Sequence, residues 1–424
     1  WKQGNCIMRL VRSLSVGLSI ALLAACSQST VEPSSNDPTA PGPASANQEP
    51  SPYYVAYPMA QVSKEQLNAR FLASGLTARQ GIRIFRLIYP SKDLKGTEIR
   101  ASGILVLPDI APTTLPWISL QHVTITGEAQ APSNKPEEGL YEASQGFAVV
   151  VADQIGFGSA KGKVHPYLFP NAYPTVLIDG LRAARAVIEA QGHETGPLFL
   201  RGYSEGAYAT LALQRALEQN HADEFPIRAS APAAGPYELE QTAVQALSLP
   251  QVNPVNVSLI ILSYVSYLAP EINLGNIFAG NVEDIKQSLD GRLTYEEALK
   301  VLPSQPATLF KPQFLAGFTA NTPTGEEAIK LRNLLGKNSL FKDSWVPASP
   351  TRFYHCADDE VVPSTLTEYA IARIRATQAM APVASEIAPP NPSQPYRHGS
   401  CPLYYASVAW FTSILAPVAA IGSR

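Results

Sequence analysis

The stretch Gly202-Tyr203-Ser204-Glu205-Gly206 sets a serine between two glycines. An apolar run, Leu198 to Leu200, leads into it, and a small-residue, helix-forming run, EGAYATLALQRALEQ, leads away. A serine on so sharp a strand-to-helix turn has strained backbone angles, and the positions two residues away on either side are crowded. Glycine at both removes the Cβ clash. The turn lifts the hydroxyl clear of the sheet, and the first N–H groups of the new helix point toward it. Those are the needs of a serine nucleophile beside a site that stabilises negative charge. The hydroxyl is a poor nucleophile at neutral pH, so it also needs a base within hydrogen-bond reach and an acid that orients the base.

Of the six histidines, only His355 and His398 follow the long irregular segment after Tyr237. His355 ends a strand. His398, in YRHGSC, sits in a loop before the last helical run, PLYYASVAWFTSILAPVAAI, a placement that fits the base. The acid is expected in HCADDEVVP, which offers Asp358, Asp359 and Glu360. All three follow the strand TRFY and so stand at the carboxyl edge of a sheet, where α/β sites form. Only one of them is expected to be buried against the imidazole, because an extra unpaired buried carboxylate is costly. Two N–H donors must face the developing oxyanion. The backbone of Glu205 is the first candidate, and Val123, just after His122 in the loop following the third strand, is the second.

The elements that must position these groups alternate. IRIFRLIYPSKDLKGTEIRASGILVLP (82–108) reads as a hairpin around a Lys-Gly turn. Strands are expected at 116–122, in the apolar run of 146–158, at 197–204 and from 227. Helices are expected at 175–191 and after Ser204. Strands alternating with helices imply a mainly parallel sheet covered on both faces. After Tyr237 the rhythm lapses and returns only with PTRFYHCADDEVVP. Residues 240–345 therefore read as a mostly helical insertion, splitting a core of 53–239 and 346–424. Its apolar run, VNVSLIILSYVSYLAP (255–270), suits both a buried bundle and a cap lying over Ser204.

Taken together, Gly202 to Gly206, HCADDEVVP and RHGSC resemble the α/β-hydrolase fold, in particular the bacterial branch akin to secretory lipases. The resemblance covers roughly residues 75 to 415. It extends to QHVT (121–124), DQIGFG (153–158), HPYL (165–168) and DGLRAAR (179–185). In that fold the chain order is serine, acid, histidine, and this branch carries a helical cap between nucleophile and acid. The family pattern H-G-x-x-D-x-x-V-P falls on His355 to Pro363 and selects Asp359, with Asp358 second. Cys356 and Val123 stand where the family usually has glycine. The resemblance implies a hydrolase of carboxylic esters, an esterase or lipase that needs no cofactor, with Ser204 attacking, His398 carrying the proton and Asp359 orienting it. A peptidase on the same fold, and a non-catalytic binding lipoprotein on a hydrolase scaffold, are the other readings.

A formal net charge of −3 over 424 residues gives nothing that favours nucleic acid. No CxxC or HExxH spacing supports a metal site. Near the N-terminus, Arg9 and Arg12 precede an apolar run from Leu14 to Ala25 that ends on Cys26. The run is too short to span a bilayer and has the charged-then-apolar order of an export signal. Leu23-Ala24-Ala25-Cys26 resembles the lipobox of bacterial lipoproteins, in which the cysteine is acylated after cleavage. Met8 stands where such a signal would start, and Ser27 resembles outer-membrane sorting. Residues 27–52, rich in Pro, Ser, Ala and Asn, read as a disordered tether after the 1–26 signal. The expectation is a body outside the cytoplasm, lipid-anchored to a bacterial membrane. Of the four cysteines, Cys6 precedes Met8 and Cys26 is set aside for lipid. That leaves Cys356, three residues before Asp359, and Cys401, three after His398. If the acid and base touch, these two are expected to form a disulfide.

Overall fold

The computed structural model describes residues 54–415 except 111, 402 and 404. The expected signal segment, tether and Cys26 lie outside the described residues.

Among the described residues, nine strands form one sheet: β1 (Val55–Val62), β2 (Ile82–Lys92), β3 (Glu98–Pro108), β4 (Thr114–Gln121), β5 (Ala148–Ala152), β6 (Glu194–Tyr203), β7 (Ile227–Ala233), β8 (Thr351–Cys356) and β9 (Val383–Ala388). Their order is β1-β2-β3-β5-β4-β6-β7-β8-β9. The first three pair antiparallel, as does β3 with β5. From β5 through β9 every neighbouring pair is parallel. The chain runs from β4 to β5 on one side and then to β6 on the other. This makes β4 the point where the winding reverses, and a crevice opens beyond its carboxyl end.

Successive strand residues point to opposite faces, and the core divides accordingly. Leu105, Leu107, Trp117, Val150, Leu198 and Leu200 pack on one side; Ile104, Val106, Ile118, Val149, Val151 and Phe199 pack on the other. The second face is covered by α1 (Lys64–Phe71), α2 (Leu140–Ser144) and, at the chain's end, a further helix, Ala406–Leu415. The first face carries α3 (Tyr173–Ala190) and α4 (Glu205–Asn220). This is the α/β-hydrolase arrangement, and the mainly parallel, doubly covered sheet expected from the sequence is present.

Between β7 and β8 the described elements are helical: α5 (Leu239–Leu247), α6 (Pro254–Leu268), α7 (Val282–Gln287), α8 (Tyr295–Val301), α9 (Pro306–Leu309), α10 (Pro312–Thr319) and α11 (Glu326–Asn338). The apolar run read at 255–270 is α6, buried on most sides, as its continuous hydrophobicity requires. The polar span 282–302 forms two helices, α7 and α8. Gly291 (φ +99°) turns the chain between them, and Thr294 starts α8 with a capping box to Glu297. After β8 come α12 (Thr365–Thr377) and β9, which completes the sheet, and the helix Ala406–Leu415 is α13.

Candidate active site

Strand register puts the chemistry-bearing loops on one edge. Gln121 at the end of β4 pairs with Gly202, Tyr203 with Ala233, and Ala233 with Tyr354. The loops carrying Val123, Ser204 and Asp359 therefore leave the sheet side by side. Ser204 has φ +57° and ψ −120°, a conformation that costs free energy in any non-glycine residue. Its N–H donates to the Ala233 carbonyl at 2.9 Å, which anchors the turn. A Cβ at Gly202 would strike the Gly206 carbonyl and the Thr210 hydroxyl, and one at Gly206 would strike the Gln121 and His122 carbonyls. Both glycines are thus required by close approach. The second lets the first turn of α4 press against the loop after β4. Glu205 opens α4, and its N–H is one of those that a helix leaves without an internal acceptor.

His398 lies in a short 3₁₀ turn, His398–Ser400. Its Nδ1 donates to Asp359 Oδ2 at 2.7 Å. Because a carboxylate only accepts, this bond places the proton on Nδ1 and leaves Nε2 available as a base. The backbone of His398 is held from both sides: its N–H donates to Glu360 Oε2 at 3.0 Å, and its carbonyl accepts from the Tyr203 hydroxyl at 2.5 Å. Tyr203 is the residue before Ser204, so one side chain joins the serine turn to the histidine loop.

Asp359 is buried. Its Oδ1 accepts from the backbone of Val361 and Val362 at 3.0 and 2.8 Å, and Oδ2 also lies 3.3 Å from His355 Nε2. Burial opposes ionisation. Hydrogen bonds from His355, His398 and the Val362 amide, with the electrostatic pull of the His398 ring, outweigh it and hold the carboxyl well below the usual range. The neighbouring acids have other partners: Asp358 accepts from the Asn391 amide at 2.7 Å, and Glu360 from the His398 amide. His355 is fully buried, with Nδ1 2.7 Å from the Thr367 hydroxyl and Nε2 2.8 Å from the Val362 carbonyl; it braces the Asp359 turn.

Val123 follows a buried His122, whose ring contacts the Val123 and Asp153 carbonyls at 2.7 and 3.2 Å. Asp153 is itself fixed by Ser102 and the Ser133 amide. The Val123 amide also lies near Glu138, a carboxylate that sequence reasoning passed over. Burial raises the Glu138 pKa against the pull of His122, the Val123 amide and Arg201. Nothing in the spacing of Glu138 marks it.

Two cavities meet at Ser204. One, of about 90 Å3, is mostly apolar and runs under α5 and α6 past Ala243, Val257 and Ile260. The other, of about 990 Å3, holds Ser204 together with His398, Val123, Glu138, Tyr141 and Tyr405. His398 belongs only to the wide one. A small pocket behind the narrow cavity shares Ala243, Val257 and Ile260 with it. Among the described residues, no group of three or more His, Cys, Asp or Glu is placed to hold a metal ion. No helix among them is long and apolar enough to cross a membrane.

Cys356 and Cys401 form a disulfide with Cα atoms 5.8 Å apart, spanning 45 residues. It ties the end of β8, just before Asp359, to the loop just after His398. Replacing both cysteines by alanine is expected to cost roughly 2–4 kcal/mol in urea unfolding. Ester turnover should also fall more than KM rises, because the bridge holds the Asp359 and His398 loops in register.

The fold is that of the α/β-hydrolases. No protein-family model matches the chain, and no curated protein does. Solved structures match over most of its length. The rice cell wall degrading esterase LipA from Xanthomonas oryzae is 26% identical, with a TM-score of 0.70, covering 85% of this chain and 95% of that one. A candidate hydrolase from Legionella pneumophila is 22% identical, with a TM-score of 0.76, covering 87% and 99%. Candida antarctica lipase A in its closed state is 16% identical, with a TM-score of 0.60, covering 85% and 80%.

Proposed function

We propose that this protein is a serine hydrolase of carboxylic esters, working through Ser204, His398 and Asp359 and a covalent acyl-enzyme. The observation that carries the reading is the His398–Asp359 hydrogen bond, at the wall of a chamber that also holds a serine on a strained strand-to-helix turn. The esterase and lipase neighbours support ester substrates.

Ser204 Oγ attacks the ester carbonyl carbon as its proton passes to His398 Nε2. The carbonyl oxygen becomes an oxyanion facing the N–H groups of Glu205 and Val123. The bond to the alcohol oxygen breaks, and that oxygen takes the proton from His398. Water then repeats the sequence: its proton goes to His398, its oxygen joins the acyl carbon, and the bond to Ser204 Oγ breaks as the proton returns to the serine.

This proton route assigns the cavities. The leaving alcohol must lie against His398 and so occupies the wide chamber; the acyl chain lies in the narrow apolar one under α5 and α6. Residues 240–345 then act as a cap that selects the acyl group. The reading is tested by an ester panel in which acyl length and alcohol size vary separately, run on wild type and on Ser204→Ala. Hydrolysis that survives the substitution would overturn it. Ile260→Ala, which opens the narrow cavity toward the pocket behind it, is expected to raise the kcat/KM ratio of a long-chain over a short-chain ester roughly tenfold.

The membrane anchor is part of the proposal, supported by the apolar run ending on Cys26. Fed a labelled fatty acid, cells should mark the wild type and not Cys26→Ala. An unlabelled wild type would remove the anchor from the reading.

A further inference from the structure

The carboxylate of Glu205 has no part in this chemistry, yet it is wholly buried immediately after the nucleophile. Its Oε1 accepts from His165 Nε2 at 2.6 Å and from the Tyr173 hydroxyl at 2.9 Å, while Oε2 is buried without a hydrogen-bond partner. His165 is 7% exposed, and its other nitrogen, Nδ1, lies 2.7 Å from the Ile155 carbonyl. A carbonyl only accepts, so Nδ1 carries a proton. Glu205 titrates below its usual value, so its carboxylate is ionised and only accepts, and Nε2 carries the second proton. The ring is therefore an imidazolium, enclosed by Phe157, Tyr167 and Tyr173 at centroid distances of 5.0 to 6.5 Å. Burial opposes both charges, but each partner's charge and their shared hydrogen bond prevail. His165 titrates above its usual value and Glu205 below.

We propose that His165 is a positioning residue of the oxyanion site, and that its charge cancels the carboxylate fixed next to the amide that receives the oxyanion. The inference rests on the ester-hydrolase reading above. Glu205 supplies two groups of opposite consequence: a backbone N–H that draws negative charge in, and a side chain whose negative charge would repel it. In a water-poor setting that repulsion is weakly screened. His165, carried by the loop after β5, removes it and at the same time fastens the first turn of α4 to that loop. HPYL, visible in the sequence as a motif, thereby acquires a physical role.

The test compares wild type, His165→Gln, Glu205→Gln and the double variant. The readouts are kcat and KM on p-nitrophenyl acetate, affinity for a trifluoromethyl ketone that forms an anionic tetrahedral adduct, and the urea midpoint. His165→Gln should lower kcat and ketone affinity together by roughly 30- to 100-fold, with KM within about threefold. Adding Glu205→Gln should restore most of both losses, because the lone carboxylate is then gone. A double variant as poor as His165→Gln, or losses that follow the urea midpoint alone, would overturn the proposal. If His165→Gln does not fold, ring ¹⁵N shifts of the wild type decide. Two protonated nitrogens on His165 at neutral pH support the proposal, and a neutral ring refutes it. A wild type that hydrolyses no ester and takes no fluorophosphonate on Ser204 would defeat the underlying reading. An active, labelled wild type with an unimpaired His165→Gln defeats only this inference.

Discussion

Alanine at position 204 is expected to lower kcat for ester hydrolysis by about 10⁴- to 10⁶-fold, the scale seen when a serine nucleophile is removed. The loss should come without unfolding. Ser204 is buried, but its side chain makes no hydrogen bond that caps α4. Its conformation, at φ +57°, is strained for serine and for alanine alike. The urea midpoint should therefore move little while turnover collapses. A fluorophosphonate should add its mass to the wild type and leave Ser204→Ala unmodified. An alanine variant that keeps a tenth of the wild-type kcat would mean that the strained turn serves some other purpose.

The second large effect is expected at Asp359. Its carboxylate accepts from His398 Nδ1 and thereby fixes which nitrogen is free. In Asp359→Asn the amide can turn an N–H toward that nitrogen, and the favoured tautomer then presents a protonated Nε2 to the serine. A fall of roughly 10⁴-fold in kcat is expected, with KM nearly unchanged. The neighbouring Asp358→Asn is the control: its carboxylate binds the Asn391 amide, so the effect on kcat should be small. The wild type should also lose stability in acid. A carboxyl whose folded pKa lies below its unfolded value stabilises the fold above the unfolded pKa, and that contribution disappears as pH falls through the folded one. Asp359→Asn should have a flatter stability profile over the acid range.

The central strands were legible because they are buried on both faces. Ala148–Ala152 has no exposed residue, and such a run has few other readings. The edges were not. β1 exposes Tyr57 and Met59, and β9 buries only Val383, so neither shows the alternation that marks a half-buried strand. Spacing singled out Ser204 and His398 as candidates because chain order restricts the choice. It left three acids at 358–360, which the structure separates by giving each a different partner. The roles of Tyr203 and His165 could not be read locally. Tyr203 reaches a carbonyl 195 positions away, and His165 a carboxylate 40 positions away. Sequence displays periodicity along the chain, and contacts of this kind have none.

The bridge between Cys356 and Cys401 also bears on what happens if the chain is broken. Residues 389–397, PPNPSQPYR, join β9 to the turn that carries His398, and most of them are exposed. That makes the segment open to attack by proteases. One cut there would yield two polypeptides, with His398 on the shorter one. The sulfur link would keep that piece attached four residues beyond the cut's far limit, beside the strand that leads to Asp359. A nicked molecule would run as one species without reductant and as two with it, and it would keep its turnover until the thiols were freed. Thiol exposure, more than proteolysis itself, would then decide how long any activity survives.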